Sequence, residues 1–180
     1  MTLRTRTRPD EFDPLDWVLE HWQQQNRPAA EHFVAASSLF RTYQAVTARF
    51  DEVLSEYELT RTGYLLLATL FLSGSRARPL SYLSRHLLVH PTTITLVVDQ
   101  MEQRGLVERI RHETDRRSIL VHLTEAGREV SDQATEALAA AKFGLAVDLD
   151  TAIELVEVLR RVRREINDIP AIGPDGKSAV

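Results

Sequence analysis

The stretch PTTITLVVDQMEQRGLVERIRHETDRRSILVHLT (residues 91–124) decides the fold. Its first half carries apolar side chains at the spacing of one helical face: Ile94, Val97, Val98 and Met101. This spacing predicts a helix with that face in the core, begun by Pro91 and ended by Gly105. The second half alternates as two strands, LVERIR and RSILVHL, joined by HETD. Such alternation predicts a β-hairpin.

A shorter helix is predicted just before this unit. The segment LSYLSRHL places Leu80, Leu83 and Leu87 at helical spacing, and the brief turn LVH separates it from Pro91. The preceding residues, SRARP, are expected to form a loop. Helix, tight turn, helix and hairpin are together typical of a winged helix–turn–helix. We therefore expect a mainly α protein with a small two- to three-stranded β wing.

Two helices are predicted on the N-terminal side of this module. Asp13 is suited to cap the first, with Pro14 at its first position, and the second runs over residues 30–57. The second helix has a broad apolar stripe: Phe33, Leu39, Phe40, Tyr43, Val46, Phe50, Val53 and Leu54. Core packing explains part of such a stripe, and a subunit interface explains the surplus.

Two further helical regions are framed by threonines. Thr60 is expected to cap a helix that ends at Gly74, and Thr124 to cap a last helical region interrupted near residues 144–150. The final helix, which ends near residue 169, again has more apolar surface than one protomer should need, so we expect a homodimer held by both terminal helical regions. Its basic run RRVRRE is interpreted as complementing the helix dipole.

The predicted organisation has four parts. Residues 1–57 form an N-terminal arm and dimerisation helices, residues 58–127 the winged module, residues 128–171 the C-terminal dimerisation helices, and residues 172–180 a tail. The arm carries three Arg interleaved with Thr. A solvated tail is preferred here over an arm that grips DNA.

Composition excludes several classes of protein. The 180 residues include no cysteine, so disulfides, thiolate metal sites and cysteine-based peroxide sensing are ruled out. The strongly apolar run YLLLATLFL has nine residues, whereas a membrane span needs roughly 20. No membrane partner is expected, and the cytoplasm is the expected location.

Charge is unevenly distributed along the chain. The net charge is −4, but residues 76–117 carry eight Arg against five acidic residues, a local balance of +3. The rest of the chain balances at −7. A basic middle between acidic flanks favours an anionic partner for the winged module.

No catalytic constellation is present in the sequence. HExxH, GxSxG, P-loop and Rossmann glycine patterns are all absent. His112, Glu113 and Asp115 would point apart in a tight turn, so a metal site is not expected there. We expect no enzyme, no metal and no cofactor, although an all-α enzyme with an unrecognised site stays open as an alternative.

The helix that begins at Pro91 has an exposed face opposite its core face: Thr92, Thr93, Thr95, Leu96, Asp99, Gln100 and Gln103. Hydroxyls at a helix N-terminus can bind phosphate oxygens and reach base edges in a major groove. The threonines could also serve only to cap the helix. The hairpin decides between these readings.

The tip of the hairpin is rich in arginine. Asp115 and Arg117 are two residues apart in a tight turn, so the carboxylate can hold the guanidinium in one orientation. An oriented Arg on a narrow hairpin suits a minor groove, while Arg111 and Arg116 can bind nearby phosphates. A surface ion pair worth about 0–1 kcal/mol is the alternative.

Residues 59–130 resemble the MarR family of bacterial transcription regulators. The Pro-Thr-Thr helix start, the GLVER strand, the Asp-x-Arg wing and the LTEAGRE helix entry occur in order and at the family's spacing. The resemblance implies a homodimer that reads a pseudo-palindrome in double-stranded DNA, with repression the commoner mode. It also implies that Arg117 enters the minor groove and that Asp115 orients it.

Two positions depart from the family pattern. His90 stands where relatives often have Ser, and it could cap through a ring nitrogen or donate to phosphate. Leu96 stands where they often have Arg, and it offers only apolar contact, for instance with a thymine methyl. A DNA-binding-impaired relative that binds a ligand or a protein is therefore the alternative function. The predicted DNA-binding residues are His90, Thr92, Thr93, Thr95, Leu96, Arg111, Asp115, Arg116 and Arg117.

The first helix, with LEHWQQQNRP, resembles the extra N-terminal helix of a branch that includes urate-responsive members. That resemblance places Trp22 in a ligand pocket, although a dimer-core aromatic is the alternative. Leu65 and Leu96 replace the Asp and Arg that hold the anion there, so urate is not expected, and a small apolar or aromatic effector, or none at all, is favoured. The predicted effector pocket comprises Trp22, Tyr43, Tyr64, Leu65 and Leu96.

Overall fold

A computed structural model of the chain describes residues 12–74, 76–111, 119–166 and 168. Their helices and strands are α1 (Pro14–Gln24), α2 (Ala30–Ser55), α3 (Arg61–Leu72), β1 (Ala77–Pro79), α4 (Leu80–His86), α5 (Pro91–Gln103), β2 (Val107–Arg111), β3 (Ile119–Leu123), α6 (Glu125–Ala140) and α7 (Leu149–Glu165). The predicted fold class, mainly α with a small β wing, is confirmed. The chain divides into two compact units, Met1–Gly144 and Leu145–Val180. The division into four functional segments stays a prediction.

Three helices begin at the capping residues that the sequence predicts. The side-chain oxygen of Asp13 accepts a hydrogen bond from the Leu15 amide at 2.8 Å. Thr60 and Thr124 each accept one from the glycine amide three residues later, at 3.1 and 3.0 Å respectively. Each cap satisfies an amide that has no partner within its helix, so these residues fix where the helices start.

The core of the first unit is built around α3. Its leucines Leu66, Leu67 and Leu70 are fully buried. They pack in one cluster with apolar residues from α2, α4, α5, the sheet and α6: Leu54, Leu83, Val98, Val121 and Leu138 among others. The apolar face of α5 is thus held against the protein interior, and its opposite face is left to solvent.

The sheet has three strands in the order β1-β3-β2, and both pairs are antiparallel. Ala77 pairs with His122, and Pro79 with Leu120. The predicted loop SRARP is therefore wrong for Ala77–Pro79, which form an edge strand. Three residues that end in proline are too few to show alternation, and their pairing with β3 alone makes them a strand.

The second unit contains α7. Asp148 caps it by accepting from the Thr151 amide at 2.8 Å. The predicted interruption before this helix is confirmed, since α6 ends at Ala140 and positive φ angles follow at Lys142, Phe143 and Gly144. Among the described helices, none is both long enough and apolar enough to cross a lipid bilayer.

Candidate nucleic-acid interface

Helix α5 presents one buried face and one exposed face. Ile94, Val97, Val98 and Met101 are all at most 7% exposed, as their spacing predicts. Thr92, Thr93 and Thr95 are exposed, and the Leu96 side chain is 57% exposed. A large apolar side chain on a row of hydroxyls, with nothing covering it in this unit, is available to a partner.

The first turn of α5 is capped by histidine. The amide of Thr92 donates to Nδ1 of His90 at 3.2 Å, and the Thr92 hydroxyl lies 3.1 Å from the same nitrogen. An Nδ1 that accepts from an amide carries no proton, so a neutral ring has its hydrogen on Nε2. His90 therefore caps the helix, and its second nitrogen is a donor at the same end.

The hydroxyls that follow are held in different ways. Thr95 donates to the carbonyl oxygen of Pro91 at 2.9 Å, one helical turn earlier, which fixes the orientation of its side chain. Thr92 is engaged with His90. Thr93 is exposed beside them, so the helix start combines two ordered hydroxyls with a third at the surface.

The far half of α5 is joined to the wing by Arg109 of β2. Its Nη2 donates to Asp99 at 2.5 Å, and its Nη1 donates to Glu102. The Arg109 amide also donates to Glu102, at 3.0 Å. Burial lowers the pKa of the Arg109 guanidinium, but the hydrogen bonds to both carboxylates outweigh this effect and the pKa is raised. The group stays charged at any physiological pH.

The predicted wing residues are only partly described. Arg111 is exposed at the end of β2, where it pairs across the hairpin with Ile119. Asp115, Arg116 and Arg117 lie outside the described residues, and so does the His112–Asp115 cluster considered for metal. Among the described residues, no group of three side chains could hold a metal ion.

The five predicted effector residues do not form one site in this unit. Tyr43 and Leu65 line a groove of about 860 Å³ between α2, the start of α3 and the turn before α5. Trp22 stacks on Phe33 at 4.0 Å between ring centroids and donates to the Pro28 carbonyl. Tyr64 is buried and hydrogen-bonds Thr135 at 3.0 Å, and Leu96 lies on the exposed face of α5.

One ion pair lies in this groove, and the sequence reasoning did not find it. Nε of Arg61 lies 2.7 Å from Asp51, and Nη1 donates to the Tyr43 hydroxyl at 3.2 Å. The hydrogen bond to Tyr43 is the largest effect on the Arg61 guanidinium, whose pKa is raised. Because Asp51 offsets the charge of Arg61, this pair adds no net charge to the groove.

The turn before α5, which the sequence predicts, forms the other wall of the groove, a role that the sequence did not indicate. It contributes the side chains of Leu87, Leu88 and Val89, and Val89 directly precedes the cap residue His90. Leu88 has a positive φ of 53°, which non-glycine residues seldom adopt. No local pattern shows that Arg61 belongs to this groove, since it meets Tyr43 and Asp51 only through the packing of α3 against α2.

These features define a winged helix–turn–helix protein: α4, a tight turn and α5, followed by a hairpin with a short third strand. The MarR family model matches residues 59–119. The chain is 33% identical over 118 residues to an uncharacterised HTH-type transcriptional regulator, YhbI of Bacillus subtilis, covering 63% of this chain and 75% of the relative. It is 29% identical over 122 residues to the HTH-type transcriptional regulator PecS of Dickeya dadantii, covering 66% and 73%.

Solved structures agree with this assignment. The crystal structure of Sco5413, a MarR family transcriptional regulator from Streptomyces coelicolor, superposes with a TM-score of 0.71 at 34% identity, covering 77% of this chain and 97% of that one. The chain belongs to the MarR family of transcriptional regulators. Membership confirms the prediction of a non-enzymatic role. The resemblance to a branch with an extra N-terminal helix stays a prediction.

Proposed function

We propose that the protein is a homodimeric repressor that binds a pseudo-palindromic operator in double-stranded DNA and is released by a small apolar or aromatic effector. The observation that carries the proposal is the exposed face of α5. Threonines and Leu96 face solvent there, while the opposite face is locked into the core. The exposed face makes no contact with the protein core, and its shape and chemistry suit the major groove of DNA.

The dimensions of α5 suit this role. Thirteen residues at about 1.5 Å each make a helix roughly 20 Å long, and an α-helix fits the width of a major groove. The N-terminal end carries the free amides and partial positive charge that favour phosphate. The Nε2 hydrogen of His90 adds a donor at that end, and Leu96 offers apolar contact to a thymine methyl.

The wing supplies the second proposed contact. Arg111 is exposed at the point where the hairpin leaves the sheet, which supports a phosphate contact there. For Asp115, Arg116 and Arg117 the support is the sequence and the family resemblance: Arg117 in the minor groove, oriented by Asp115, with Arg116 on phosphate.

Exposed apolar side chains support the homodimer. In the first unit, Phe12, Trp17, Phe40 and Tyr43 are each more than half exposed. In the second unit, α7 has no buried residue, and large apolar side chains along it and at its C-cap are exposed: Leu149, Ile153, Val156, Val162 and Ile166. Apolar surface of this extent is costly in water, and a second copy of the chain would cover it symmetrically.

The groove next to α5 supports release by an effector. Its walls are mostly apolar, and its one ion pair is internally balanced, so a neutral aromatic or apolar molecule suits it. An occupant would contact Leu88 and Val89, which directly precede the cap of α5. A ligand that favours a different conformation of this turn would shift α5 and weaken DNA binding.

A relative impaired in DNA binding is the second candidate, and Leu96 is the observation that favours it. A solvent-exposed Leu occupies a position near the centre of α5 at which a basic side chain could bind a base or a phosphate. Similarity of fold supports the first candidate in general terms: Sco3205 of S. coelicolor, solved in complex with DNA, has a TM-score of 0.66 at 22% identity.

Selection from randomised duplexes tests the two candidates against each other. If the protein is a repressor of this kind, it will enrich a pseudo-palindrome, and its affinity will fall on the order of 10³-fold or more between low and moderate salt, given about 6–10 phosphate contacts. The control is the same selection with Leu96→Glu. This variant places a negative charge against the major groove of DNA and should enrich no sequence. Failure of the wild-type protein to enrich any sequence supports the impaired relative.

A further inference from the structure

The recognition helix α5 carries two acids and no base. Asp99 and Glu102 are the only ionisable side chains in Pro91–Gln103. Both lie on the turns that follow Thr95, at the i+4 and i+7 positions of its face. Asp99 is therefore about 6 Å farther along the helix axis than Thr95.

This placement opposes DNA binding. If Thr95 and Leu96 reach into the major groove of DNA, Asp99 and Glu102 come within about 10 Å of the phosphates. This is the distance over which charges interact at 0.1 M salt. The side chains of both residues are only partly buried, with exposed fractions of 48% for Asp99 and 38% for Glu102. Something else has to offset two negative charges on the surface that faces a polyanion.

Arg109 has the geometry to do so. Its guanidinium bridges the two carboxylates, with one nitrogen on each, and it is only 24% exposed itself. Glu102 additionally accepts from the Arg109 amide at 3.0 Å, so the carboxylate is turned towards β2. A planar fork that binds two acids from an adjacent strand is the arrangement for which Arg is better suited than Lys.

We propose that Arg109 is a positioning residue for DNA binding, which screens the carboxylates of Asp99 and Glu102 and directs them towards β2, away from the phosphates. The proposal rests on the proposed DNA-binding function. It assigns Arg109 no contact with DNA. Its effect passes through the two acids, which makes it separable from a direct phosphate contact.

The first test is Arg109→Gln on the duplex that the wild-type protein selects. We expect binding to weaken by roughly tenfold or more at low salt, because two uncompensated acids then face the phosphates. The ratio of wild-type to variant affinity should shrink towards one as salt rises, because the repulsion is screened. A purely structural role would not produce this salt dependence.

The second test removes the acids as well. Adding Asp99→Asn and Glu102→Gln to Arg109→Gln should restore affinity to within about threefold of the wild-type value, since no carboxylate is left to screen. Arg109→Lys keeps the positive charge but cannot bind both carboxylates as a fork, so it should bind the duplex more weakly than wild type and more tightly than Arg109→Gln. Should Arg109→Gln fail to fold, Arg109→Lys and the triple variant carry the test. Melting temperatures report folding in every case.

Arg128→Gln is the matched control. Arg128 also bridges two acids on one helix, Glu125 and Asp132, so its loss changes net charge by the same amount, but in α6 rather than in β2. The affinity of the Arg128→Gln variant for the selected duplex should differ from that of wild type by less than about twofold. An equal loss in Arg128→Gln would mean that net charge alone explains the effect, and would overturn the proposal.

Other outcomes separate this proposal from the proposed function. Wild-type affinity in Arg109→Gln overturns the screening role alone. A folded triple variant that stays as weak as Arg109→Gln overturns it too, as does a folded Arg109→Lys variant that binds no more tightly than Arg109→Gln. Absence of sequence-specific binding by the wild-type protein overturns the DNA-binding function, and the screening role with it.

Discussion

The backbone carbonyl of Leu106 lies directly against the Cα of Gly127, so that a Cβ at position 127 would come within 2.0 Å of the carbonyl oxygen. Leu106 precedes β2, and Gly127 is in the first turn of α6. Their contact fixes the start of α6 against the base of the wing. The oxygen belongs to the backbone, which cannot move aside as a flexible side chain can.

Gly127→Ala should therefore lower the free energy of unfolding by about 3 kcal/mol or more, because overpacking against rigid backbone forces the helix and the strand apart. Urea denaturation at matched protein concentration measures the change. Gly74→Ala is the control, since a Cβ there meets nothing within 4 Å. If both substitutions have equal, small effects, the helix is not seated as described.

The histidine cap of α5 makes a second prediction. His90→Ala removes the acceptor for the Thr92 amide and should destabilise the protein by about 1 kcal/mol, whereas His90→Ser keeps a capping oxygen and should stay near wild type. The measurement is again chemical denaturation. Equal stability of the Ala and Ser variants would show that the ring nitrogen contributes nothing as a cap.

The wing prediction concerns Arg117 and follows from the sequence. Arg117→Ala should leave the melting temperature unchanged and weaken binding by about 1–3 kcal/mol per lost contact, mostly on duplexes with A·T-rich flanks, where the minor groove is narrow. Asp115→Ala should weaken binding less, because the Arg is kept and loses only its orientation. Normal affinity of Arg117→Ala would refute the minor-groove role.

The homodimer prediction can be tested on α2. Phe40 is 67% exposed in the single chain, and Phe40→Glu should shift the sedimenting species from twice the 20.5 kDa chain mass towards the monomer. Thr42→Glu adds the same charge on the opposite side of the helix and should remain dimeric. A wild-type protein that sediments as a monomer at micromolar concentration would contradict the prediction.

The sequence predicts most of the fold because its signals are local. The four buried residues of α5 show a helical face within eight positions, and three helix starts depend on side chains that bond amides two or three residues away. β1 has no such signal, since its three residues become a strand only by pairing with β3. The contact of Arg61 with Tyr43, 18 residues apart, depends in the same way on tertiary packing.

The candidate site divides along the same line. The exposed face of α5 follows from the buried face, so its residues could be named from the sequence. The link from Arg109 to Asp99 and Glu102 lies within ten residues, and the charges themselves were visible. What was missing is the tight turn that returns β2 alongside α5, because a strand's side chain can meet a helix only once that turn is known.

Because α5 carries no basic residue, the preference for a DNA sequence and the electrostatic attraction to DNA come from different parts of the protein. Short-range contacts from Thr92 to Leu96 hardly depend on ionic strength, so long-range attraction has to come from the helix terminus and from arginines outside α5. Exchanging the threonines and Leu96 for those of a relative should then transfer operator preference while leaving the slope of affinity against salt unchanged. New specificities can arise in such a helix without readjusting how firmly the protein holds DNA in general.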